Sequence, residues 1–215
     1  MSSNNSAPIM MIRSLHDLAF DGNDMRLVWY GAPDFDWHPA SWPDVQLLNQ
    51  CKLTFSRASG PGGQHRNKVE TSVQIEYIPA CIIASASECR TQKENRKVAV
   101  QRLRCKLAVE LRPTRNPIST AAISTALAAK MQMGSATWKQ YCRNRRIDVS
   151  ETNSDWPAIL AEIVGFLSIS DWNVSDVAVV LGTSSSQLVK LLKRHPPAFA
   201  LLNQERKVRS QRPLE

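Results

Sequence analysis

Two short segments of alternating apolar and polar residues flank a glycine-rich loop, and a long segment with helical spacing follows them. Apolar residues alternate with polar ones at Leu53 and Phe55 before the loop, and at Val73, Ile75 and Tyr77 after it. A period of two is typical of strands that bury one face. The pattern therefore predicts three strands, over residues 52–57, 73–77 and 81–85.

The segment after these strands has the signals of a long helix. Thr91 and Glu94 form a capping box at its start, and Pro113 marks its end. Apolar residues at spacings of three and four predict one buried face, formed by Val100, Leu103, Leu107 and Leu111. Cations are predicted on the other faces: Lys93, Arg96, Lys97, Arg102, Arg104 and Lys106. Together these elements predict a compact α+β unit over residues 50–112, with a mixed or antiparallel sheet packed by the helix.

Helical spacing returns later in the chain and predicts an all-α C-terminal region over residues 155–215. Asp155-Trp156-Pro157 opens its first helix, with an apolar stripe of Leu160, Ile163, Val164 and Leu167. Three further helices are predicted over residues 174–181, 184–193 and 197–208. Ala178 and Gly182 fit a helix-turn-helix, in which a small residue lets two helices cross and glycine permits the turn. Such a unit either contacts RNA or DNA or only packs, and the sequence leaves both interpretations open.

Two further segments complete the predicted organisation. Residues 1–49 are interpreted as an N-terminal extension, in which Ser41 is predicted to cap a short helix over residues 42–50. The predicted buried side of that helix consists of Val45, Leu47 and Leu48. Residues 113–154 are interpreted as a connector with a basic cluster of Arg143, Arg145 and Arg146.

Basic charge is concentrated in the middle of the chain, whose overall net charge is +8. Residues 51–116 carry thirteen basic and five acidic side chains, whereas residues 1–50 carry two basic and six acidic ones. A local basic surface indicates a polyanionic partner such as nucleic acid, although a merely solvated basic face would give the same count.

Composition also argues against several classes of protein. No apolar run reaches the roughly 18 residues of a membrane span, and residues 1–17 lack the pattern of a secretory signal. We therefore expect a cytoplasmic protein without a membrane partner. The cysteines have no metal-ligand spacing and the four histidines are scattered, which predicts reduced thiols, no metal site and no cofactor.

The loop Ser59-Gly60-Pro61-Gly62-Gly63-Gln64 is the strongest candidate for chemistry. Glycine has no Cβ, so this backbone can turn tightly and bring main-chain N–H groups close to a ligand. Basic side chains surround Gln64 in the sequence: Arg57, His65, Arg66 and Lys68. An amide among basic groups is well suited to a phosphate-bearing substrate.

The run from Arg57 to Lys68 closely resembles the catalytic loop of bacterial peptide-chain release factors and their ribosome-rescue relatives. The resemblance continues at Thr71-Ser72-Val73, where the family's next strand begins. It extends to Arg90, Gln92, Asn95 and Arg96, which match the start of the family's following helix. It covers about residues 50–112.

This resemblance implies an enzyme, a peptidyl-tRNA ester hydrolase acting within the ribosome, with Gly62, Gly63 and Gln64 as catalytic residues. The main-chain N–H of Gln64 would stabilise the oxyanion or the leaving ribose oxygen, and its side chain would shape the pocket that admits water. No protein side chain need act as the base, so the mechanism does not require His65 in that role. The implied RNA-binding residues are Arg57, His65, Arg66, Lys68, Arg90, Lys93, Arg96 and Lys97.

The implied partners are the ribosome, P-site peptidyl-tRNA, ribosomal RNA and a glutamine N5-methyltransferase acting on Gln64. Codon-reading release factors carry large regions upstream of the catalytic domain, and the segment before residue 50 is too short for them. We therefore expect codon-independent release on stalled ribosomes. Two other interpretations stay open, a nucleic-acid-binding module and a ribosome-associated quality-control factor, both without hydrolysis.

Overall fold

A three-stranded antiparallel sheet forms the first layer of the molecule, for which a computed structural model describes residues 38–57, 70–113, 124–128 and 133–215. The strands follow one another in the order β1 (Cys51–Ser56), β2 (Ser72–Tyr77) and β3 (Ile82–Ala86). A short 3-10 turn, Ile78–Ala80, joins the last two strands. The predicted strands are therefore confirmed, and the sheet is antiparallel.

One face of this sheet packs against a long helix, α2 (Gln92–Glu110). On β2 the side chains of Val73, Ile75 and Tyr77 are buried, as the alternating pattern predicts. The predicted apolar face of the helix is buried against them: Val100, Leu103, Leu107 and Leu111. Thr91 caps the helix, since its Oγ1 accepts a hydrogen bond from the Glu94 N–H at 3.2 Å. The α+β prediction for this part of the chain is confirmed.

The short helix before the sheet differs in detail from the prediction. Helix α1 spans Asp44–Asn49, and Pro43 rather than Ser41 occupies its N-cap position. The Ser41 hydroxyl instead donates to the carbonyl of His38 at 2.7 Å. Leu47 is fully buried, but Val45 is 74 % exposed, because a helix of six residues buries only the side that faces β1 and α2.

Arg104 corrects the prediction that every cation of the long helix lies on an exposed face. Its guanidinium is buried, donates to the carbonyls of Ala40 and Trp42, and pairs with Asp44 at 2.8 Å. Its position in the helical pattern does not reveal these partners, since they lie far away in the sequence. Arg104 therefore anchors the chain before α1 to the side of α2.

His38 provides a second anchor for the same stretch of chain. Its ring Nε2–H donates to the carbonyl of Leu111 at 3.0 Å, while Nδ1 accepts from the N–H of Ala40 at 3.0 Å. This arrangement requires a neutral ring. Burial lowers the pKa of His38 to about 4, and the hydrogen bond to the Leu111 carbonyl only partly opposes the shift. The anchor is therefore intact at neutral pH.

The chain after residue 133 forms a helical unit with a small hairpin. Its helices are α3 (Ala136–Tyr141), α4 (Trp156–Ile169), α5 (Val174–Val180), α6 (Ser185–Lys193) and α7 (Pro196–Val208). Strands β4 (Cys142–Arg143) and β5 (Arg146–Ile147) pair between α3 and α4, and residues 124–128 are also helical. The predicted helices after residue 155 are confirmed. None of the described helices is both long enough and apolar enough to span a bilayer.

Helix α4 lies at the centre of this unit and corrects the prediction of a single apolar stripe. Nearly all of its residues are buried, including the charged Glu162. The Glu162 carboxylate accepts hydrogen bonds from the Ser135 N–H at 2.7 Å and from the Ser135 hydroxyl at 2.6 Å. An apolar helix that is covered all round needs neighbours on every side. The α+β unit provides one of them, because α2 packs against α4.

Helix α2 is consequently shared between two hydrophobic cores. Ala108, on the side away from the sheet, is fully buried in the core of the helical unit. Polar contacts also link the α+β unit to the helical unit. The Gln101 side chain donates to the carbonyl of Asn153 at 3.0 Å, and Arg112 pairs with Glu205 at 3.1 Å. The described part of the predicted connector, 113–154, holds α3 and the hairpin. The domain boundaries themselves stay a prediction.

The shared helix leads to a prediction about truncation. Ending the chain after Asn153 removes α4 and exposes the second face of α2, so the remaining α+β unit should be unstable by itself. We expect the free energy of unfolding to fall by about 3 kcal/mol or more, as when large apolar surfaces lose their cover. Thermal melting followed by circular dichroism measures the effect. A chain that ends after Arg212 is the control, and a fragment 1–153 as stable as that control would contradict the prediction.

Candidate catalytic loop and its basic flank

The glycine-rich loop connects two paired strands. Ser56, the last residue of β1, is the Cα partner of Ser72, the first residue of β2. The two ends of the loop therefore leave the sheet side by side, at the usual separation of about 4.5–5.5 Å for antiparallel partners. Arg57, the first residue beyond β1, is described and exposed. The other predicted residues of the loop lie outside the described residues: Gly62, Gly63, Gln64, His65, Arg66 and Lys68.

The first turns of α2 hold the end of the loop where the chain enters β2. The Asn95 amide donates to the carbonyl of buried Thr71 at 2.7 Å and to that of Cys89 at 3.0 Å, and its oxygen accepts from the Cys89 N–H at 2.9 Å. Asn95 is fully buried. Gln92 adds a bond from its amide to the carbonyl of Glu70 at 3.1 Å. We call these two side chains the loop clamp.

The loop clamp gives a physical role to residues that sequence analysis treated only as part of a family resemblance. Asn95 satisfies three backbone groups, two of them in the segment before the helix and one at the loop. A buried amide with all these partners fixes the loop end relative to the helix, because leaving any of the groups unpaired would be costly. Spacing from Thr91 places Asn95 in the helix, but the sequence carries no signal for its partner at Thr71.

The exposed cations at the start of α2 form a basic flank beside the loop clamp. The basic flank consists of Arg90, Lys93, Arg96 and Lys97, all exposed. Among the described residues these side chains have neither an acidic partner nor a hydrogen bond. A cation in the first turn of a helix, as Lys93 is, or just before it, as Arg90 is, is disfavoured by the helix dipole by about 0.3–1 kcal/mol. The position of these two cations therefore does not serve the stability of the helix, and it favours a role in binding an anion.

The cations farther along the same helix behave differently. Arg102 pairs with Glu88 at 2.5 Å, and Lys106 donates to the carbonyl of Ile83 at 2.6 Å. The bonds from the Ser87 backbone and from Arg102 lower the pKa of the Glu88 carboxyl, the backbone bond more strongly. With Arg104 also paired, the cations of α2 divide into a structural group and the basic flank. This division follows from tertiary contacts and was absent from the predicted pattern.

The basic flank borders an open cleft of about 820 Å³ between α1, α2 and the start of α4. Its lining includes Lys93, Arg96 and Lys97 on one wall and Trp42 on another. Asp44 and Asp155 also line it, but each has a partner: Asp44 pairs with Arg104, and Asp155 accepts from the Tyr141 hydroxyl at 2.8 Å. The unpartnered charges of this cleft in the described residues are therefore positive.

Burial makes two of the described thiols poor candidates for an alternative nucleophile. All five cysteines are described and unpaired. Burial raises the pKa of Cys51 and of Cys105 to about 11, so both are neutral thiols at pH 7. Within the described ranges, no group of three or more His, Cys, Asp or Glu side chains is arranged to hold a metal ion.

Comparison with known proteins places this strand–loop–strand–helix unit in a family. The RF-1 domain family model matches residues 45–154, about half of the chain. The chain therefore belongs to the RF-1 domain family, a release-factor-like family, and the predicted relationship is confirmed. The match begins within α1, includes the sheet and α2, and ends immediately before α4.

Individual relatives are named peptide chain release factor 1. The protein of Malacoplasma penetrans (strain HF-2) is 48 % identical over 67 residues, which are 30 % of this chain and 19 % of the relative. That of Xylella fastidiosa (strain 9a5c) is 34 % identical over 92 residues, or 43 % of this chain and 24 % of the relative. That of Acidiphilium cryptum (strain JF-5) is 39 % identical over 93 residues, with coverages of 42 % and 24 %. The chain thus spans only about a fifth to a quarter of these relatives.

The loop clamp can be tested by removing its central amide. Replacing Asn95 with Ala leaves the Thr71 and Cys89 carbonyls and the Cys89 N–H without this partner. Because unpaired buried groups cost about 1–3 kcal/mol each, with partial relief from water, we expect a loss of about 2–3 kcal/mol in the free energy of unfolding. Urea titration measures it. Gln92→Ala, which removes one exposed bond, is the matched control and should cost less than about 1 kcal/mol; equal losses would show that burial of the amide is unimportant.

Proposed function

We propose that this protein hydrolyses the ester bond between a nascent peptide and P-site tRNA, with the loop Gly62-Gly63-Gln64 as its catalytic element. The observation that carries the proposal is the RF-1 domain match across a loop whose two ends are held by strand pairing and by the loop clamp. A loop that must reach a reaction centre on another particle needs such a rigid base, because small displacements of reacting groups reduce rates strongly.

The proposed chemistry uses water and the main chain. Water attacks the ester carbonyl, the bond from that carbon to the ribose oxygen breaks, and the ribose oxygen leaves with a proton. The main-chain N–H of Gln64 stabilises the negative charge that develops on oxygen, and the Gln64 side chain shapes the pocket for water. Gly62 and Gly63 permit backbone angles that a Cβ would oppose. No base from this chain is required, since the tRNA ribose and ribosomal RNA surround the reacting atoms.

The basic residues around the loop bind ribosomal RNA in this proposal. Arg57, the loop residues His65, Arg66 and Lys68, and the basic flank supply the contacts to phosphates. The supporting observation is that the four flank cations are exposed and unpartnered within the described residues. Two of them, Arg90 and Lys93, lie at the helix end where positive charge is least favourable. Gln64 is also the proposed substrate of a glutamine N5-methyltransferase. The proposed site of action, the ribosome, is in the cytoplasm.

We further propose that release does not depend on a stop codon and serves stalled ribosomes. The support is that the helical unit, which begins at residue 133 and continues beyond the end of the family match at residue 154, has its own core and packs on α2. The helical unit is therefore a second part of the protein, fixed to the catalytic unit, that can contact the ribosome. Ribosomes carrying labelled peptidyl-tRNA with a stop codon, a sense codon or no codon in the A site distinguish the modes. Release confined to the stop-codon complex would overturn codon independence.

A nucleic-acid-binding module without hydrolysis is the second candidate. The helix-turn-helix geometry favours it: Gly182 at the turn has φ of 66°, and Ala178 is buried where the helices cross. Absence of peptide release on all three ribosome complexes, together with retained RNA binding, would support this candidate against the first.

The catalytic assignment leads to a prediction about Gly63. Replacing Gly63 with Ala adds a Cβ beside the proposed oxyanion donor, so peptide release should fall by at least about 10²-fold, the typical effect of losing one such donor. Ribosome binding should stay nearly unchanged. Single-turnover release of labelled peptide measures the rate. Lys52→Ala, an exposed change on β1, is the control, and full release by the Gly63→Ala protein would refute the mechanism.

The basic flank leads to a separate prediction about salt. Removing two phosphate contacts with Lys93→Ala and Lys97→Ala together should lower the slope of log affinity against log salt by about 1.5. The fold should be unaffected because neither side chain has a partner in the described residues. Ribosome binding measured between low and high potassium chloride gives the slope. The double variant Lys52→Ala/Lys207→Ala removes the same charge elsewhere; a slope equal to that of this control would show that the basic flank is only solvated.

A further inference from the structure

Two stretches of the helical unit carry only positive charge. Residues 133–147 contain four basic side chains and no acidic one. Residues 177–204 contain three basic side chains and no acidic one. Each stretch alone is only modestly basic, and acidic side chains elsewhere in the C-terminal part lower its net charge. Their effect as a binding surface depends on whether the fold brings them together.

The fold joins these stretches along the second helix of the helix-turn-helix. The Arg145 guanidinium donates to the carbonyl of Thr183 at 3.2 Å, and the Thr183 hydroxyl donates back to the carbonyl of Arg145 at 2.9 Å. At the other end of α6, Arg194 donates to the carbonyl of Val149 at 2.8 Å. The chain from residue 145 to 149 therefore runs beside α6 from its beginning to its end.

The tip of the hairpin is a tight two-residue turn. Asn144 and Arg145 have φ of 49° and 64°, the left-handed values that such hairpin turns use, and Asn adopts this region more readily than Arg. This turn makes Arg143 and Arg146 direct cross-strand partners. Like charges directly opposite each other destabilise a strand pair. A hairpin that exposes two opposed arginines is therefore arranged for an anion and not for its own stability.

The cations that remain available on the hairpin and its neighbouring helices define the hairpin–helix surface, consisting of Lys139, Arg143, Arg146 and Lys190. All four are exposed, and in the described part of the chain none of their side chains has a hydrogen bond or an acidic partner. Lys139 and Arg145 line one small cavity of about 200 Å³ beside Gly182, so α3 belongs to the same side. Asp148, just after β5, is the exposed acidic residue nearest to the hairpin in the sequence, and Asp176 is already bonded to Asn173 at 2.8 Å. Positive charge thus dominates the surface.

The side chains of this surface fit a phosphate backbone better than base edges. Reading of a DNA major groove uses bidentate contacts from Arg, Asn or Gln on the recognition helix, and α6 offers Gln187 alone. Lys193, the other cation near its end, lies 5.6 Å from the ring of Phe199 and stabilises the packing of α7. Duplex RNA is recognised mainly through its backbone and shape, which requires cations in a fixed arrangement and few base readers.

We propose that the hairpin–helix surface binds the phosphate backbone of double-stranded RNA, as a docking site separate from the catalytic loop. The proposal rests on the proposed function only in taking ribosomal RNA as the source of the duplex. The opposed arginines on the hairpin and the lysine on α6 meet phosphates together, and Arg145 holds the hairpin against the turn of the helix-turn-helix. The surface orients the whole protein, because the helical unit is packed on α2.

The test uses the full chain with Arg143→Gln, Arg146→Gln and Lys190→Gln combined. Binding is measured to ribosomes, to an RNA duplex of mixed sequence and to the DNA duplex of the same sequence, each over a range of salt concentrations. We expect affinity for ribosomes and RNA duplex to fall at least about tenfold and the salt slope to fall by about 2. The control, Lys52→Gln/Lys207→Gln/Arg212→Gln, removes the same charge elsewhere and should bind like the unchanged protein.

Two further measurements separate this role from a structural one. The thermal midpoint of the triple variant should equal or exceed that of the control, since it relieves the repulsion between Arg143 and Arg146. Arg143→Lys/Arg146→Lys keeps the charge and should keep the binding. The proposal is overturned if the triple variant binds ribosomes and RNA like its control, or if the DNA duplex is bound more tightly than the RNA duplex. The Gly63→Ala protein should bind RNA normally. Absence of peptide release by the unchanged protein, with RNA binding retained, would count against the proposed hydrolysis and not against this surface.

Discussion

Burial of α2 on two opposite faces is the interaction on which the rest of this structure depends. Leu103 and Leu107 face the sheet, whereas Ala108 faces α4 and lets the two helices approach closely. A small sheet of three strands has little apolar surface to bury by itself. Helix α2 supplies the missing cover for the sheet and receives cover from the helical unit. The stability of either part is therefore linked to the other.

The same helix links stability to the proposed chemistry. Its first turns carry the loop clamp, and its side carries the basic flank, so the loop and its RNA contacts share one rigid base. Asn95 is expensive to bury and is fully hydrogen-bonded, which fixes a single arrangement of the loop end. Arg104 and His38 fasten the preceding chain to the other end of this helix. Precision at the loop is thus obtained from buried polar contacts and not from the loop itself.

Charge placement follows a different logic from packing. Cations that stabilise the fold have partners, as Arg104 has with Asp44 and Arg112 has with Glu205. Arg90 and Lys93 of the basic flank, and Arg143 and Arg146 of the hairpin–helix surface, occupy positions where electrostatics opposes them, at a helix N-terminus and across a strand pair. Side chains at binding sites are often placed at the expense of local stability, because their position serves the ligand and not the fold. In the two proposals, the basic flank and the hairpin–helix surface contact RNA at separate places.

The sequence by itself determined the elements and the class of protein. Alternation at Val73, Ile75 and Tyr77 and the capping box at Thr91 act locally, so strands and helix could be predicted from neighbouring residues. The loop motif likewise indicated the family without any structure, because its residues are contiguous. The local pattern wrongly predicted that Val45 is buried, because the short helix α1 leaves that side chain exposed.

Only the tertiary structure decided which charged residues are structural and which are available. Arg104 looks like an exposed helical cation in the sequence, yet its partners lie before α1. Asn95 gains its role from Thr71, and the hairpin meets α6 through Arg145 and Thr183. These contacts join residues far apart along the chain, and no periodicity or propensity encodes which distant carbonyl a side chain will reach.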